Sequence, residues 1–316
     1  MLSRVADALY WTSRYVERAE NVARFMSVDL NQTLDAGLGS MNGGWEALIR
    51  ATGDMRQFEE THGQANKQEV MEFLTFDPKY PNSIASAITA ARNNAQAVRG
   101  IISREMWQEI NELYLFVQAE GRSGNPLEDM TSFYDHIKLA GSHFAGATDA
   151  TLSRGEAWHF LRMGRLMERA DKTSRILDVK YYLLLPQPAD VGTSLDQVGW
   201  VALLDSTSGL QMYLQQHHVV SPPRVAEFLL LDKDFPRAIR FCIDRAMQSL
   251  WAITGSAQGS PRTEAERLMG RLSANLAFTH VDQVVAQGLH EYIDSLQCTL
   301  NDIDGALNST LFNHRP

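Results

Sequence analysis

The chain has 316 residues, 44% of them hydrophobic, so it is long enough to bury a large core as one large domain or two coupled ones. Its formal net charge of −9 argues against nucleic acid or an anionic membrane as the main partner, because both are negatively charged. No apolar run is long enough to span a bilayer and the start lacks a signal-peptide pattern, which together predict a cytoplasmic protein.

Helical periodicity dominates the sequence and strand alternation is almost absent, which predicts an all-α, multi-helix fold. The pattern indicates about ten helices in all. Two connectors rich in turn residues, at 35–44 and 186–199, interrupt it most clearly. We place the helices at roughly 3–34, 45–58, 67–76, 83–118, 127–150, 154–185, 196–218, 222–232, 236–256, 262–277 and 280–312.

The sequence contains two similar halves. A set of charged residues in the first helix, Arg14, Glu17, Arg18 and Arg24, recurs 151 positions later as Arg165, Glu168, Arg169 and Arg175. Beyond the connectors the match resumes at a shift of 155, where an Asp-x-x-aromatic-Pro turn ends at Pro81 and again at Pro236. The duplication predicts two tandem pseudo-symmetric helical repeats, residues 1–153 and 154–316, packed together as one domain.

The first motif helix separates its charged residues onto two faces. Arg18 falls within an aromatic and apolar stripe, whereas Glu17 lies about 100° around the helix, on the same side as Arg14. Arg18 therefore needs an acceptor from another helix, because an unpaired buried charge is very costly. A pseudo-twofold contact is self-complementary, so Glu17 would face Arg169 while Glu168 faces Arg18.

These charged residues allow two interpretations. The first is a structural lattice of ion pairs where the two copies meet. The second is an anion pocket, in which several arginines hold a carboxylate, a phosphate or a peptide C-terminus. In that case the polar arc that carries Arg14, Glu17 and Arg24 would open, together with its counterpart in the second copy, onto one shared polar cleft.

The sequence predicts no metal site and no resident cofactor. Two Glu-x-x-His spacings, Glu59 with His62 and Glu156 with His159, match part of a di-iron carboxylate site. The first pair lies in a polar stretch, and the second has no symmetric mate in the other copy. Random spacing therefore explains both.

The two cysteines do not indicate a nucleophile. Cys242 matches an alanine in the other copy, which predicts a small, buried apolar position. Cys298 lies on the last predicted helix and is interpreted as a packing residue. No catalytic residue is predicted.

The motif segments resemble a known family. Residues 9–24, with Glu17-Arg18-Ala19 at their centre, are similar to the opening motif of the bacterial Alpha-E family, and so are residues 160–171 together with Arg175. The resemblance covers essentially the whole chain. That family is a predicted all-helical domain whose function is uncharacterised. Its members are commonly encoded beside, or fused to, a circularly permuted ATP-grasp ligase and often a transglutaminase-like cysteine peptidase.

The resemblance implies an accessory or scaffold protein that works with an ATP-grasp amide ligase in peptide tailoring. The ligand would be a peptide or a carboxylate, and the peptidase would be a second partner. Two alternatives remain open: an enzyme that uses the Arg/Glu cluster for acid–base chemistry, and a small-anion-binding module. The absence of a nucleophile or metal spacing counts against the enzyme.

Overall fold

The structure is a computed structural model that describes residues 1–35, 42–122, 130–184 and 194–312. Within these ranges the chain is all-helical, as predicted, and contains fifteen α-helices. A short π-helical turn, Asn308–Phe312, follows the last of them. The helices are α1 (Ser3–Asp35), α2 (Asn42–Thr52), α3 (Met55–Thr61), α4 (Lys67–Thr75), α5 (Ile84–Ala97), α6 (Arg104–Glu120), α7 (Met130–Thr151), α8 (Glu156–Leu184), α9 (Ser194–Ser206), α10 (Leu210–His217), α11 (Pro222–Leu231), α12 (Ile239–Thr254), α13 (Glu264–Phe278), α14 (Val281–Gln287) and α15 (Leu289–Leu307).

The expected count of about ten helices is too low, because four predicted helices are each divided into two. Gly53 (φ +79°) follows the end of α2, and Gly288 (φ +101°) separates α14 from α15. Ser208 also has a positive φ, between α9 and α10. The long helix predicted at 83–118 stops after α5, and Ser103 caps a new one by accepting a hydrogen bond from the Met106 N–H. Apolar periodicity continues across these short breaks, so it could not reveal them.

The two motif helices, α1 and α8, pack against each other and form the most extensive contact among the described helices. Helix α1 also packs against α5 and α7, while α8 packs against α12 and α15. At one point the two backbones nearly touch: a Cβ added to Gly164 would lie 2.2 Å from the carbonyl oxygen of Tyr10. A glycine is required there, and it lets the charged groups of both helices meet across a short distance.

The predicted connectors lie largely beyond what the structure describes. Residues 36–41 and 185–193 fall outside the described ranges, as do residues 127–129 at the start of one predicted helix. In the described part of the chain, nearly all the buried apolar side chains belong to one continuous core. No helix there is both long enough and apolar enough to cross a lipid bilayer.

Candidate functional site

Two reciprocal ion pairs join the motif helices. Arg169 donates from Nε and Nη2 to the two carboxylate oxygens of Glu17, at 2.7 and 2.8 Å. Arg18 donates from Nε and Nη2 to the two oxygens of Glu168, at 2.7 and 3.0 Å. Both carboxylates are buried, and both arginine side chains are nearly so, at 12% and 13% exposed. Each motif therefore provides an acceptor and a donor to the other helix, in the bidentate geometry that arginine favours.

The Glu168 carboxylate is the centre of one half of this network. It also accepts a hydrogen bond from Nε of Arg14 at 2.8 Å. The other end of that guanidinium bonds to Asp304 of α15 and to the hydroxyl of Tyr10, the latter at 3.2 Å. The free Nη1 of Arg18 donates to the side chain of Asn82 at 2.9 Å.

The Glu17 carboxylate is the centre of the other half. Arg237, in the turn before α12, donates to Glu17 at 3.3 Å and to Asn21 at 3.2 Å. It also forms an ion pair with Glu20. Arg24 donates to the same Glu20 oxygen at 2.8 Å and reaches the backbone carbonyl of Ser206 at the end of α9. In this half of the network, buried carboxylates and guanidiniums are in direct contact with one another.

The last two candidate arginines differ from each other. Arg175 donates to Asp171 at 3.1 Å and to the backbone carbonyl of Thr52 at 2.9 Å, so it ties α8 to the end of α2. Arg165 has only a distant carboxylate, Asp149, at 3.8 Å, and its buried Nε has no hydrogen-bond partner among the described residues. Every motif candidate except Arg165 thus forms at least one hydrogen-bonded ion pair. Within the described ranges, Arg165 has only the 3.8 Å approach to Asp149.

The network holds both motif glutamates in their charged form. Burial alone would raise the pKa of Glu17, but the ion pairs with Arg169 and then Arg237 outweigh it and lower that pKa to about 2. Burial would likewise raise the pKa of Glu168. The ion pairs with Arg18 and then Arg14 outweigh burial there and hold the pKa of this carboxyl well below its usual range. Carboxylates held this way are weak bases, and neither is protonated near neutral pH to act as an acid.

A pocket of about 190 Å³, here called the mixed pocket, lies beside the Glu168 half of the network. It is bounded by α1, α8 and α15 and by the turns that precede α3 and α5. Four of its lining side chains are cationic and three are acidic. Its charged and amide-bearing lining residues are Arg14, Arg18, Lys172, Arg175, Asp54, Asp171, Asp304, Asn82 and Asn301.

A second pocket of about 320 Å³, here called the arginine pocket, lies between α8, α12 and the end of α7. It carries five arginines and a single carboxylate, and two aromatic rings form part of its wall. Its lining residues are Asp149, Arg154, Trp158, Arg162, Arg165, Leu166, Arg169, Pro236, Phe241 and Arg245.

The expectation of one shared polar cleft is wrong. Arg14 lines the mixed pocket and Arg165 lines the arginine pocket, while Glu17 and Arg24 line neither of the two. The reason is that Arg237 and Arg169 occupy the space beside Glu17, so direct ion pairs replace an opening there.

Four residues that complete the network were missed from the sequence: Asn82, Arg237, Glu20 and Asp304. One signal could have found the first two, because each directly follows the proline of the repeated Asp-x-x-aromatic-Pro turn. Asp304 is one of four acidic residues on an amphipathic helix, α15, and no pattern distinguishes it from the others.

The structure also places the two cysteines and shows where the described histidines and acidic residues lie relative to one another. In the part of the chain that the structure describes, no three His, Cys, Asp or Glu side chains lie together as metal ligands would. Cys242 is buried, and its burial raises the pKa of the thiol to about 12. Cys298, which the sequence indicates as a packing residue, is exposed, because it falls on the solvent side of α15.

Residues 1–312 match the model of a family named Alpha-E, described as a predicted alpha-helical domain with a conserved ER motif. The chain belongs to the Alpha-E family. In this Alpha-E chain the Glu-Arg pairs that carry the resemblance are Glu17-Arg18 and Glu168-Arg169, the residues of the reciprocal ion pairs.

The curated relatives of this Alpha-E chain are uncharacterized proteins of mycobacteria. It is 24% identical over 335 residues to the uncharacterized protein Rv2567 of Mycobacterium tuberculosis (strain ATCC 25618 / H37Rv). It is 23% identical over 335 residues to the uncharacterized protein Mb2597 of Mycobacterium bovis. Each alignment covers 97% of this chain and 36% of the relative, so the chain spans about a third of their length. No solved structure matches it.

Proposed function

We propose that this Alpha-E domain is a non-catalytic, peptide- or amino-acid-binding partner of an amide-forming ATP-grasp ligase. The observation that carries the proposal is the mixed pocket, which adjoins the ion-pair network and presents cations and carboxylates side by side. A free amino acid or a short peptide is a zwitterion, and each end of a longer peptide carries one terminal charge. A pocket with both cations and carboxylates suits such a ligand better than an apolar pocket or one with charges of a single sign.

The engagement of the motif glutamates supports a binding role rather than an enzymatic one. Glu17 and Glu168 each accept two hydrogen bonds from one arginine and further contacts from a second. An acid–base catalyst needs a group that exchanges its proton near the working pH. These two carboxylates are instead committed to holding α1 and α8 together.

A difference between the two halves of the network supports the mixed pocket as the binding site. Asn82 and Arg237 occupy matching positions after the repeated turn. The Arg237 guanidinium extends among Glu17, Glu20 and Asn21 and occupies the space there. The shorter Asn82 leaves the corresponding space beside Glu168 and Asp171 open as the mixed pocket.

The same comparison supports a duplicated architecture with repeats at 1–153 and 154–316. Helix α1 packs against α5 and α7, and α8 packs against α12 and α15, in the same order along the chain. Helix α2 of the first part contacts α8, and α9 of the second part contacts α1. In each part, the helix that follows the motif helix thus packs on the motif helix of the other part. Two copies related by a pseudo-twofold axis would produce such reciprocal contacts.

The ligase partner, and a transglutaminase-like peptidase as a second one, are proposed from the family resemblance. The chain spans only about a third of the relatives it matches, so those proteins have room for further domains. An amide ligase needs a carboxylate and an amine held close to its nucleotide site. A helical domain that binds a peptide end would present that substrate to the ligase.

Calorimetric titration with dialanine tests the binding claim. We expect saturable binding of dialanine and none of N-acetyl-alanine amide, which lacks both terminal charges. Asn82→Arg should weaken dialanine binding at least about tenfold, because the new guanidinium would reach Glu168 and Asp171 and fill the pocket. Asn82→Ala, which removes the amide without filling the space, is the matched control and should still bind. Equal binding by the blocked compound, or by Asn82→Arg, would contradict the claim.

Reconstitution tests the partnership. The chain should co-purify with the circularly permuted ATP-grasp ligase encoded in the same genome and raise its ATP consumption in the presence of peptide. Asn82→Arg should still associate with the ligase but no longer stimulate it. The partnership is refuted if the wild-type chain neither co-purifies with the ligase nor changes its ATP consumption.

A further inference from the structure

The arginine pocket carries a charge that its own residues do not balance. Arg169 is neutralised by Glu17 outside the pocket, which leaves four cationic side chains, Arg154, Arg162, Arg165 and Arg245, facing the single carboxylate of Asp149. The mixed pocket, by contrast, sets three carboxylates against four cations, and two of those cations, Arg14 and Arg18, are also paired with the buried Glu168. Of these two pockets, the arginine pocket therefore has the larger excess of positive charge.

Asp149 is the single carboxylate among these arginines, and it is engaged mainly with one of them. One of its oxygens accepts from Arg154 and from the indole N–H of Trp158, both at 3.0 Å. Arg165 approaches the other oxygen only to 3.8 Å. Arg162 makes no hydrogen bond and no ion pair with any residue that the structure describes.

Aromatic rings hold these guanidiniums in place. Arg154 and Arg162 lie over the ring of Trp158, at 4.3 and 5.0 Å from its centroid. Arg245 lies over Phe241 at 5.3 Å. Stacking of this kind orients a guanidinium without consuming its N–H donors, so those of Arg162 remain available to a ligand. Arg154 donates in addition to Asp149, and Arg245 donates from one nitrogen to Gln248 at 3.3 Å.

The arginines also destabilise one another's charge. Burial, followed by the repulsion of Arg245 and Arg165, lowers the pKa of Arg162. Burial and then the neighbouring Arg169 lower the pKa of Arg165. A bound anion would relieve this repulsion, and the pocket is large enough to admit one.

We propose that the arginine pocket binds the phosphate groups of a small molecule, with a di- or polyphosphate preferred. Several guanidinium forks converge on one cavity, a geometry that suits phosphate oxygens. A phosphate monoester carries about −1.5 to −2 charges at neutral pH, more than a single carboxylate, so it matches the excess better. The site is separate from the mixed pocket and does not depend on the proposed function.

Calorimetric titration of the full chain at low ionic strength tests the proposal. The probes are inorganic pyrophosphate, ADP and citrate; ADP shows whether a nucleotide carries the phosphates, and citrate is a carboxylate of comparable charge. The test variant is Arg162→Gln, which leaves the reciprocal ion pairs intact. Arg99→Gln is the matched control, since Arg99 also lies 5.0 Å from the centroid of a tryptophan ring, that of Trp107, but outside the pocket.

We expect saturable binding of pyrophosphate or ADP, weakened at least about tenfold by Arg162→Gln and unchanged within about twofold by Arg99→Gln. Both variants should melt within a few degrees of the wild type. The proposal is overturned by an absence of saturable phosphate binding, by equal weakening in both variants, or by citrate binding as tightly as pyrophosphate. If Arg162→Gln does not fold, Arg245→Gln replaces it under the same criteria.

Discussion

The guanidinium of Arg169 on α8 binds both carboxylate oxygens of Glu17 on α1, at 2.7 and 2.8 Å. Arg18, the next residue along α1, donates in the opposite direction to Glu168. Glu17 and Arg18 are adjacent in sequence but bind different residues of α8, because consecutive side chains of a helix point about 100° apart. The two Glu-Arg motifs therefore form two reciprocal ion pairs, in which the glutamate of each motif neutralises the arginine of the other.

Removal of Arg18 should destabilise the fold strongly. Arg18→Ala leaves the buried carboxylate of Glu168 short of two hydrogen bonds, and we expect a loss of about 3 kcal/mol in the free energy of unfolding. Urea denaturation measures it. Arg56→Ala, which breaks an exposed ion pair with Glu60, is the control and should have little effect. Equal effects of the two substitutions would contradict the burial of the motif pair.

Acid should weaken the domain through the motif glutamates. The pKa of Glu17 is lowered from 4.5 to about 2, so its stabilisation is fully present above pH 4.5 and is lost as the pH falls toward 2. The lowered pKa of Glu168 acts in the same direction. We expect the free energy of unfolding to fall by a few kcal/mol over this range. Glu17→Gln should have a shallower dependence on pH, and an unchanged slope would refute the assignment.

The close approach of α1 and α8 makes Gly164 irreplaceable. A Cβ at this position would lie 2.2 Å from the backbone carbonyl oxygen of Tyr10, so Gly164→Ala must push the helices apart. We expect a cost of about 3 kcal/mol, together with weaker Arg–Glu pairing. Gly146→Ala is the control, because a Cβ there meets nothing within 4 Å on the exposed face of α7. It should leave the melting temperature unchanged or raise it slightly. A similar response to both substitutions would count against the close approach.

Much of the architecture follows from sequence patterns. The 3.6-residue periodicity predicts the helices, and the repeated charged motif predicts that Arg18 needs an acceptor from another helix. The pairing of Glu17 with Arg169 is the one expected if two copies of the motif meet in a self-complementary contact. These inferences succeed because one physical requirement, the neutralisation of a buried charge, permits few solutions.

Other parts of the site could not be predicted, because they depend on tertiary contacts. Asp304 lies 290 residues from Arg14 in the sequence, yet their side chains are bonded. The exposure of Cys298 depends on which face of α15 meets α8 and α13, and amphipathic spacing alone does not decide this. The space beside each motif glutamate depends on one further side chain, since Arg237 contacts Glu17 whereas the shorter Asn82 lines the mixed pocket.

The most direct test of the account is a double-mutant cycle on Glu17 and Arg169. The free energies of unfolding of wild type, Glu17→Ala, Arg169→Ala and the double variant are measured by urea denaturation at neutral pH. If the motif clamps α1 to α8, the two residues should be coupled by at least about 2 kcal/mol, and the double variant should lose much less than the sum of the single ones. A coupling within about 0.3 kcal/mol of zero would show that the pair does not hold the helices together, and would contradict the structural role assigned to the motif.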